Sequence, residues 1–374
     1  MKQHIYADNA ATTKLDKAAF EAMTPWLLEE YGNASQPYMF ARKPKKALAE
    51  ARAVIAECIG AFPDEIYFTS GGTESDNWVI KSLAISCPRK GATITSAFEH
   101  HAVLHSCAVI EKLGCPVFYI RPSTAGYITP GALEQKIVDN TRLVSIMYAN
   151  NEIGSIQPVP DLCAVAHARG ALFHTDAVQA IGHVPVNVHG LGVDFLSASA
   201  HKFNGPKGIG FLYIRKGVAL LPYVDGGAQE SNHRAGTENI AAIVGMAAAL
   251  KENCDSLERN QRHLLQLERI LTSRLDEAGV EYKRNGGECK LPGLLSLSFP
   301  NREGEAILHR MDLTGISIST GSACDSANTR ISHVLQAICL DEKYAKGTIR
   351  ISLGKYNTEE DVEKIAAALI KTLA

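Results

Sequence analysis

No Cys-x-x-Cys pair occurs in this sequence, although it holds nine cysteines, at positions 58, 87, 107, 115, 163, 254, 289, 324 and 339. The odd count and the wide spacing argue against a disulfide framework and against a zinc ribbon. A cysteine is by default a small buried apolar residue, and eight of the nine are read that way. Also missing is any apolar run near the ~20 residues of a membrane helix. The longest candidate, 240–250, is short and alanine-rich and reads as a buried helix. Residues 1–6 lack the apolar core of a secretion signal, so a cytoplasmic protein is expected by elimination. Net charge is only −2, which gives no electrostatic pull toward nucleic acid or an anionic membrane. Internal repeats and low-complexity linkers are absent as well. What is present is ordinary for a soluble globular protein: 46% apolar and 21% charged residues over 374 positions. That length exceeds one small core and predicts a large domain with a smaller second one.

The middle of the chain alternates short β-rich runs with helical patterns. Strands are expected at 65–69, 92–95, 117–120, 143–148, 172–175, 195–199 and 210–214. Each run is short, apolar and bounded by glycine, proline or polar clusters. Helical patterns such as 73–85 and 160–169 lie between them. This alternation predicts an α/β fold with a mostly parallel sheet covered by helices. After about residue 253 the pattern changes. A long amphipathic helix over 259–278 stops at Gly279, strands follow at 296–299, 316–319 and 348–352, and a last helix starts near Glu359 with Thr358 as its N-cap. The expected division is a large domain over 14–253 and a smaller α+β domain made of 1–13 and 254–374.

Three segments carry candidate chemistry. Lys202 follows a strand and precedes a glycine-rich turn, in Ser197-Ala-Ser-Ala-His-Lys-Phe-Asn-Gly. A lysine flanked by hydroxyl, imidazole and backbone N–H groups at a strand end can attach an aldehyde cofactor and hold its phosphate. A surface lysine in a turn fits this segment equally well. Asp176, in His174-Thr-Asp-Ala-Val-Gln179, ends another strand inside an apolar stretch. A carboxylate there needs a cationic partner, and the protonated ring nitrogen of pyridoxal phosphate is one; a helix N-cap is the plainer alternative. Thr69-Ser-Gly-Gly-Thr73 is a strand, a glycine turn and a helix start, whose free N–H groups suit a phosphate. The C-terminal ends of strands in one parallel sheet would bring the three together.

Taken with the rest of the chain, these segments resemble the NifS/IscS-like cysteine desulfurases of the class V aminotransferase superfamily, which have pyridoxal-phosphate fold type I. The likeness covers nearly the whole chain: Tyr6–Thr13, Tyr31–Asn33, Thr69–Asn77, Glu99-His100, Asn150–Gly154, His174–Gln179, Ser199–Gly208, Gly226–Glu230, Arg234–Asn239, Gly321–Cys324 and Arg350–Gly354. The pattern departs from the family at Gly32-Asn-Ala-Ser-Gln36 and at Thr329-Arg-Ile-Ser-His333.

The resemblance implies a pyridoxal 5′-phosphate enzyme that removes sulfur from L-cysteine and yields alanine. Lys202 holds the cofactor and moves the substrate proton, His100 stacks on the ring, Asp176 pairs with its nitrogen and Gln179 bonds its phenolic oxygen. Gly72, Thr73, Ser199 and His201 hold the phosphate, and Thr237 reaches the phosphate of a second subunit, which implies a homodimer. Arg350 clamps the substrate carboxylate, with Asn33 beside the substrate and Asn151 near both the ring and the substrate, while His100 also shuttles a proton. Cys324 receives the sulfur as a persulfide and passes it to an acceptor protein. The same resemblance leaves open selenocysteine lyase or cysteine-sulfinate desulfinase activity, and an inactive paralogue serving as a sulfur-transfer scaffold. No metal is expected: His101 and His105 share a helix face near His100, but no third ligand with zinc spacing is nearby.

Overall fold

The computed structural model describes residues 4–86, 91–320 and 331–374. Its centre is a seven-stranded sheet built from β2 (Ile66–Thr69), β3 (Ala92–Ser96), β4 (Val117–Ile120), β5 (Thr141–Ser145), β6 (Leu172–Asp176), β7 (Phe195–Ser199) and β8 (Gly210–Ile214), in the order β2-β8-β7-β6-β5-β3-β4. Strands β7, β6, β5, β3 and β4 pair in parallel, whereas β8 runs antiparallel to both β7 and β2. The sheet is therefore mostly parallel, as expected, with β8 as its one reversed strand. Because β8 is reversed between them, β2 and β7 still point the same way, and their C-terminal ends meet at one edge.

Strands β3, β5, β6, β7 and β8 are buried along their length apart from one residue each in β5 and β6. Helices cover both faces, which explains why these strands read as apolar runs rather than alternating ones. The strand expected over 143–148 ends at Ser145. Beyond it only alternate N–H groups continue the pairing, Ile146 to His174 O at 3.1 Å and Tyr148 to Asp176 O at 2.8 Å, as the chain peels away toward Asn151. The helix Ile240–Asp255 is buried as expected.

A second apolar core gathers Leu267, Leu271, Leu295, Ile351, Val362 and Leu369. It packs around an antiparallel sheet of β9 (Lys283–Arg284), β10 (Leu294–Ser298) and β12 (Thr348–Ser352), in the order β12-β10-β9. Strand β1 (Ile5–Tyr6) joins this side through parallel pairing with β11 (Ile316–Ser317). The last helix, Glu359–Leu373, is capped as its sequence predicts. Asp361 N–H donates to Thr358 Oγ1 at 3.1 Å, and Thr358 N–H donates to Asp361 Oδ2 at 3.0 Å. Among the described residues no helix is long and apolar enough to cross a membrane.

Candidate active site

The C-terminal ends of β2, β3, β6 and β7 open onto a cavity of about 300 Å³, into which Lys202, Asp176, Gln179, His100, Asn151 and Arg350 all project, together with Gly72, Thr73, Ser199 and His201. A volume of this order accommodates a small organic ligand. Residues separated by nearly 280 positions in sequence are brought to one space by the strand ends and by the contact between the two cores.

Lys202 sits at the end of the short turn Ala200–Lys202 that follows β7. Its Nζ donates to Ala10 O at 2.6 Å and to Ala11 O at 2.8 Å. Gln179 Nε2 donates to Ala10 O as well, at 2.8 Å. The segment after β1 is tied to the turn by Thr13, whose N–H and Oγ1 both donate to His201 O. Sequence reasoning assigned the Tyr6–Thr13 stretch no task at the site, and only its match to the family pattern marked it.

Asp176 ends β6, and its Oδ1 accepts from Val178 N–H at 2.9 Å. Burial raises its pKa, while His100 and Lys202 act in the opposite direction. His100 precedes the helix His101–Lys112 and caps it: its Nδ1 accepts from Ala102 N–H at 3.2 Å. That bond makes Nδ1 the unprotonated nitrogen. Burial lowers the pKa of His100, so the neutral ring is favoured. His201 Nδ1 lies 3.1 Å from Thr12 Oγ1, and burial, helped by Lys202 and Lys207, pulls its pKa down to about 4.

The helix Gly72–Ser86 begins at the cavity wall, and among the described residues no preceding side chain caps its first N–H groups. Two glycines make this approach possible. A Cβ on Gly72 would lie 2.4 Å from Val178 Cγ2, and one on Gly210 would lie 2.3 Å from Ala198 O and 2.7 Å from Gly71 Cα. Beside the helix start, Ser199, His201 and Lys207 line a second opening. Uncapped N–H groups, a hydroxyl and a lysine form a phosphate-type cradle.

Arg350 projects from β12, in the second core, and is 3% exposed. One terminal nitrogen donates to Asn151 O at 2.9 Å and the other to Asp8 Oδ1 at 2.7 Å, while Nε has no hydrogen-bond partner. Arg350 lines the cavity, and a guanidinium there is suited to a ligand carboxylate. Asp8 was not foreseen from sequence, and neither was Asp76, a buried acid on the helix Gly72–Ser86 that also lines the cavity.

Two expected residues lie outside the cavity. Asn33 closes a local turn, its Oδ1 accepting from Ser35 N–H at 2.9 Å. Thr237 is exposed on the segment that leads into the helix Ile240–Asp255. Cys324 falls outside the described residues, as does the 321–330 stretch that contains it. The chain on either side of this stretch is held near the cavity. Ser319 exchanges backbone hydrogen bonds with Arg350, at 3.0 and 2.6 Å, and Ser332 Oγ donates to Glu152 Oε2 at 2.5 Å. His101 and His105 stack with ring centroids 5.0 Å apart, and His333 packs on His101 at 4.8 Å.

The donor set fits pyridoxal phosphate on its chemistry. A primary amine, a carboxylate walled off from water, an amide donor, a neutral imidazole and a phosphate-type cradle border one small cavity. The buried Asp176 has no lysine or arginine ion-paired to it among the described residues, which leaves room for a cationic ring nitrogen.

Comparison with known proteins agrees with this geometry. The class-V aminotransferase family model matches residues 5–365. A cysteine desulfurase IscS of Dictyoglomus turgidum is 47% identical over 364 residues, 97% of this chain and 92% of that protein. A solved NifS-like protein superposes with a TM-score of 0.94 at 39% identity, covering 99% of both chains. A structure of SspA in complex with cysteine superposes with a TM-score of 0.84 at 36% identity, covering 95% of this chain and 100% of the other. With its fold type I architecture and this likeness along nearly its full length, the chain belongs to the class-V aminotransferase family of pyridoxal-phosphate enzymes, on the branch of the NifS/IscS-like cysteine desulfurases.

Proposed function

We propose that this protein is a pyridoxal-phosphate-dependent cysteine desulfurase that takes sulfur from L-cysteine, releases L-alanine and carries the sulfur as a persulfide on Cys324. The observation that carries the reading is the meeting of the Lys202 amine, the Asp176 carboxylate and the Arg350 guanidinium on one cavity. The solved relative that holds cysteine lends support from outside the chain.

When bound, the cofactor supplies an electron-withdrawing ring that spreads the charge left when a proton leaves the substrate Cα. The remaining tasks fall to the protein's own side chains. Lys202 would hold the cofactor aldehyde, and its free amine would take the Cα proton. Asp176 would keep a proton at the ring nitrogen, and Gln179 would donate to the phenolic oxygen. A neutral His100 would stand beside the ring and relay protons. Gly72, Thr73, Ser199 and His201 would hold the phosphate. Arg350 would bind the substrate carboxylate, with Asn151 on the substrate side; Asn33, outside the cavity of its own chain, has no place in this step. The Cys324 thiolate attacks the substrate sulfur: an S–S bond forms, the C–S bond breaks, and the electron pair stays with the carbon, which is then protonated. Sulfur leaves with an acceptor protein.

The functional unit is read as a cytoplasmic homodimer in which Thr237 reaches the phosphate of the second subunit. Its exposed position, outside the cavity of its own chain, is in keeping with that. The test is incubation of the cofactor-loaded protein with L-cysteine, followed by assay of alanine and mass spectrometry of the Cys324 peptide. Equal amounts of alanine and transferable sulfur, with a persulfide on Cys324, are expected. Cys324→Ser should keep the cofactor's absorption and lose sulfide release; release at the parental rate would contradict the part given to Cys324.

A further inference from the structure

Asp76 lies at the side of this site with no task in the reaction just described. It sits one helical turn inside the Gly72–Ser86 helix, is 1% exposed and borders the cavity. Polar atoms of Asp76, Asp176 and His100 all lie within 4.8 Å of one another. Two carboxylates that close, both walled off from water, cannot both stay ionised unless a cation stands between them.

The groups that face Asp76 come from four elements, and among the described residues no lysine or arginine is ion-paired to Asp76 itself. From β6 come Asp176 and His174. The Nε2 of His174 is 3.5 Å from Asp76 Oδ1, but both ring nitrogens are engaged by hydroxyls, Ser145 Oγ at 2.8 Å and Ser197 Oγ at 3.0 Å. Burial pulls the His174 pKa down to about 3, so that ring is neutral. From β7 comes Ser197, a hydrogen-bonding neighbour that carries no charge. Before the helix His101–Lys112 stand the neutral-favouring His100 and Glu99, a further buried acid whose pKa burial raises to about 8. Beyond β7, Lys202 acts on Asp176. Asp76 Oδ1 itself has no hydrogen-bond partner, and burial, then the nearby Asp176, push the Asp76 acid toward its protonated form.

We propose that Asp76 is a positioning residue of the cofactor site that stands as a neutral acid beside Asp176, so that the two carboxyls together offer a single negative charge to the ring nitrogen. The idea rests on the reading of the cavity as a pyridoxal-phosphate site. One carboxylate answers one ring N–H. A second ionised group would bind the protonated ring more tightly and shift its titration upward. Asp76 thus fills the wall with a polar group without doubling the charge.

The test uses full-length protein with carbon-13-labelled aspartate, measured by infrared spectroscopy with the cofactor bound and again after its removal. A labelled, protonated carboxyl band is expected at pH 7.5. It should vanish in Asp76→Asn and persist in Asp176→Asn. In the cofactor-loaded protein, Asp76→Asn should move the pH midpoint of the cofactor absorption by less than about 0.3 units, because it exchanges one neutral group for another, whereas Asp176→Asn should move it by about a unit or more. Absence of the labelled band in the parent at pH 7.5 overturns the proposal, and so does a shift of about a unit or more in Asp76→Asn. Should Asp76→Asn fold poorly, the parent band and its persistence in Asp176→Asn decide the matter. If the protein takes up no pyridoxal phosphate, the reading of the cavity fails on that ground, while the infrared band still shows whether Asp76 holds its proton.

Discussion

The Asp8–Arg350 pair offers a quantitative check on the site, because it can be broken from either side. Arg350 NH2 and Asp8 Oδ1 are 2.7 Å apart, and the side chains are 3% and 17% exposed. At an effective dielectric of about 20, charges at this distance attract by about 6 kcal/mol. Desolvation of a pair this buried offsets several kcal/mol of that, which leaves a net coupling of about 2–3 kcal/mol, in the range of hydrogen bonds between charged groups. Asp8→Asn leaves Arg350 with a weaker acceptor. Arg350→Gln leaves Asp8 ionised beside a wall that no longer neutralises it. Each single variant should lose stability, and the double variant should lose about 2–3 kcal/mol less than the two losses added together. The assay is urea denaturation of cofactor-free protein, followed by ellipticity, for the parent and three variants. Additivity within about 0.5 kcal/mol would show that the two charges do not act as a pair and would refute the reasoning. Kinetics give a second reading. Asp8→Asn leaves the guanidinium in place, so cysteine should still bind, whereas Arg350→Gln should raise KM sharply.

Three other variants test separate parts of the structure. Lys202→Ala should prevent the cofactor from surviving gel filtration and lower cysteine turnover by at least about 10²–10⁴-fold, the usual contribution of a positioned acid–base group; retained absorption and turnover would count against its role. His174 is buried with its pKa lowered from 6.5 to about 3, so the unfolded chain takes up its proton first and native stability falls as pH drops from 6.5 toward 3, by about 1.4 kcal/mol per pH unit. His174→Gln lacks this dependence, and the parent's stability advantage over it should therefore shrink on acidification; an advantage that stays constant across that window would contradict the neutral ring. Gly210→Ala places a methyl against Ala198 O and Gly71 Cα, and should cost about 1–3 kcal/mol and weaken cofactor retention, measured by denaturation and by dialysis.

The large sheet was legible because its strands are apolar runs of four or five residues between turn signals, and Thr358 and Gly279 marked helix ends by plain chemistry. The reversed direction of β8 was not legible: a buried strand reads as the same apolar run whichever way it points, and only the pairing of Gly210 with Ser199 and Thr69 fixes it. The site divides in the same way. Lys202, Asp176 and Gln179 stand at strand ends in short polar motifs. Asp8, Asp76, Ala10 and Ala11 gave no local signal, since an acid on a helix and an alanine in a loop are ordinary until tertiary contacts set them against Arg350, Asp176 and Lys202. Asn33 and Thr237 fit a recognisable pattern, yet their places outside the cavity depend on how the chain turns.

The carbonyls that hold the Lys202 amine belong to a segment that is itself fixed from far along the chain. Asn9 N–H donates to Ser352 O at 3.0 Å, and Ala10 N–H donates to Ser352 Oγ at 2.9 Å. During synthesis, therefore, the seven-stranded sheet can collapse, with Thr13 already held by His201, while Asn9 and Ala10 still lack their partner on β12. The lysine acquires its final surroundings only after residue 352 has left the ribosome and β12 has docked. Cofactor capture is in this way tied to a late event in the birth of the protein, and a truncated product that stops short of β12 would carry the lysine without the pocket that makes it useful.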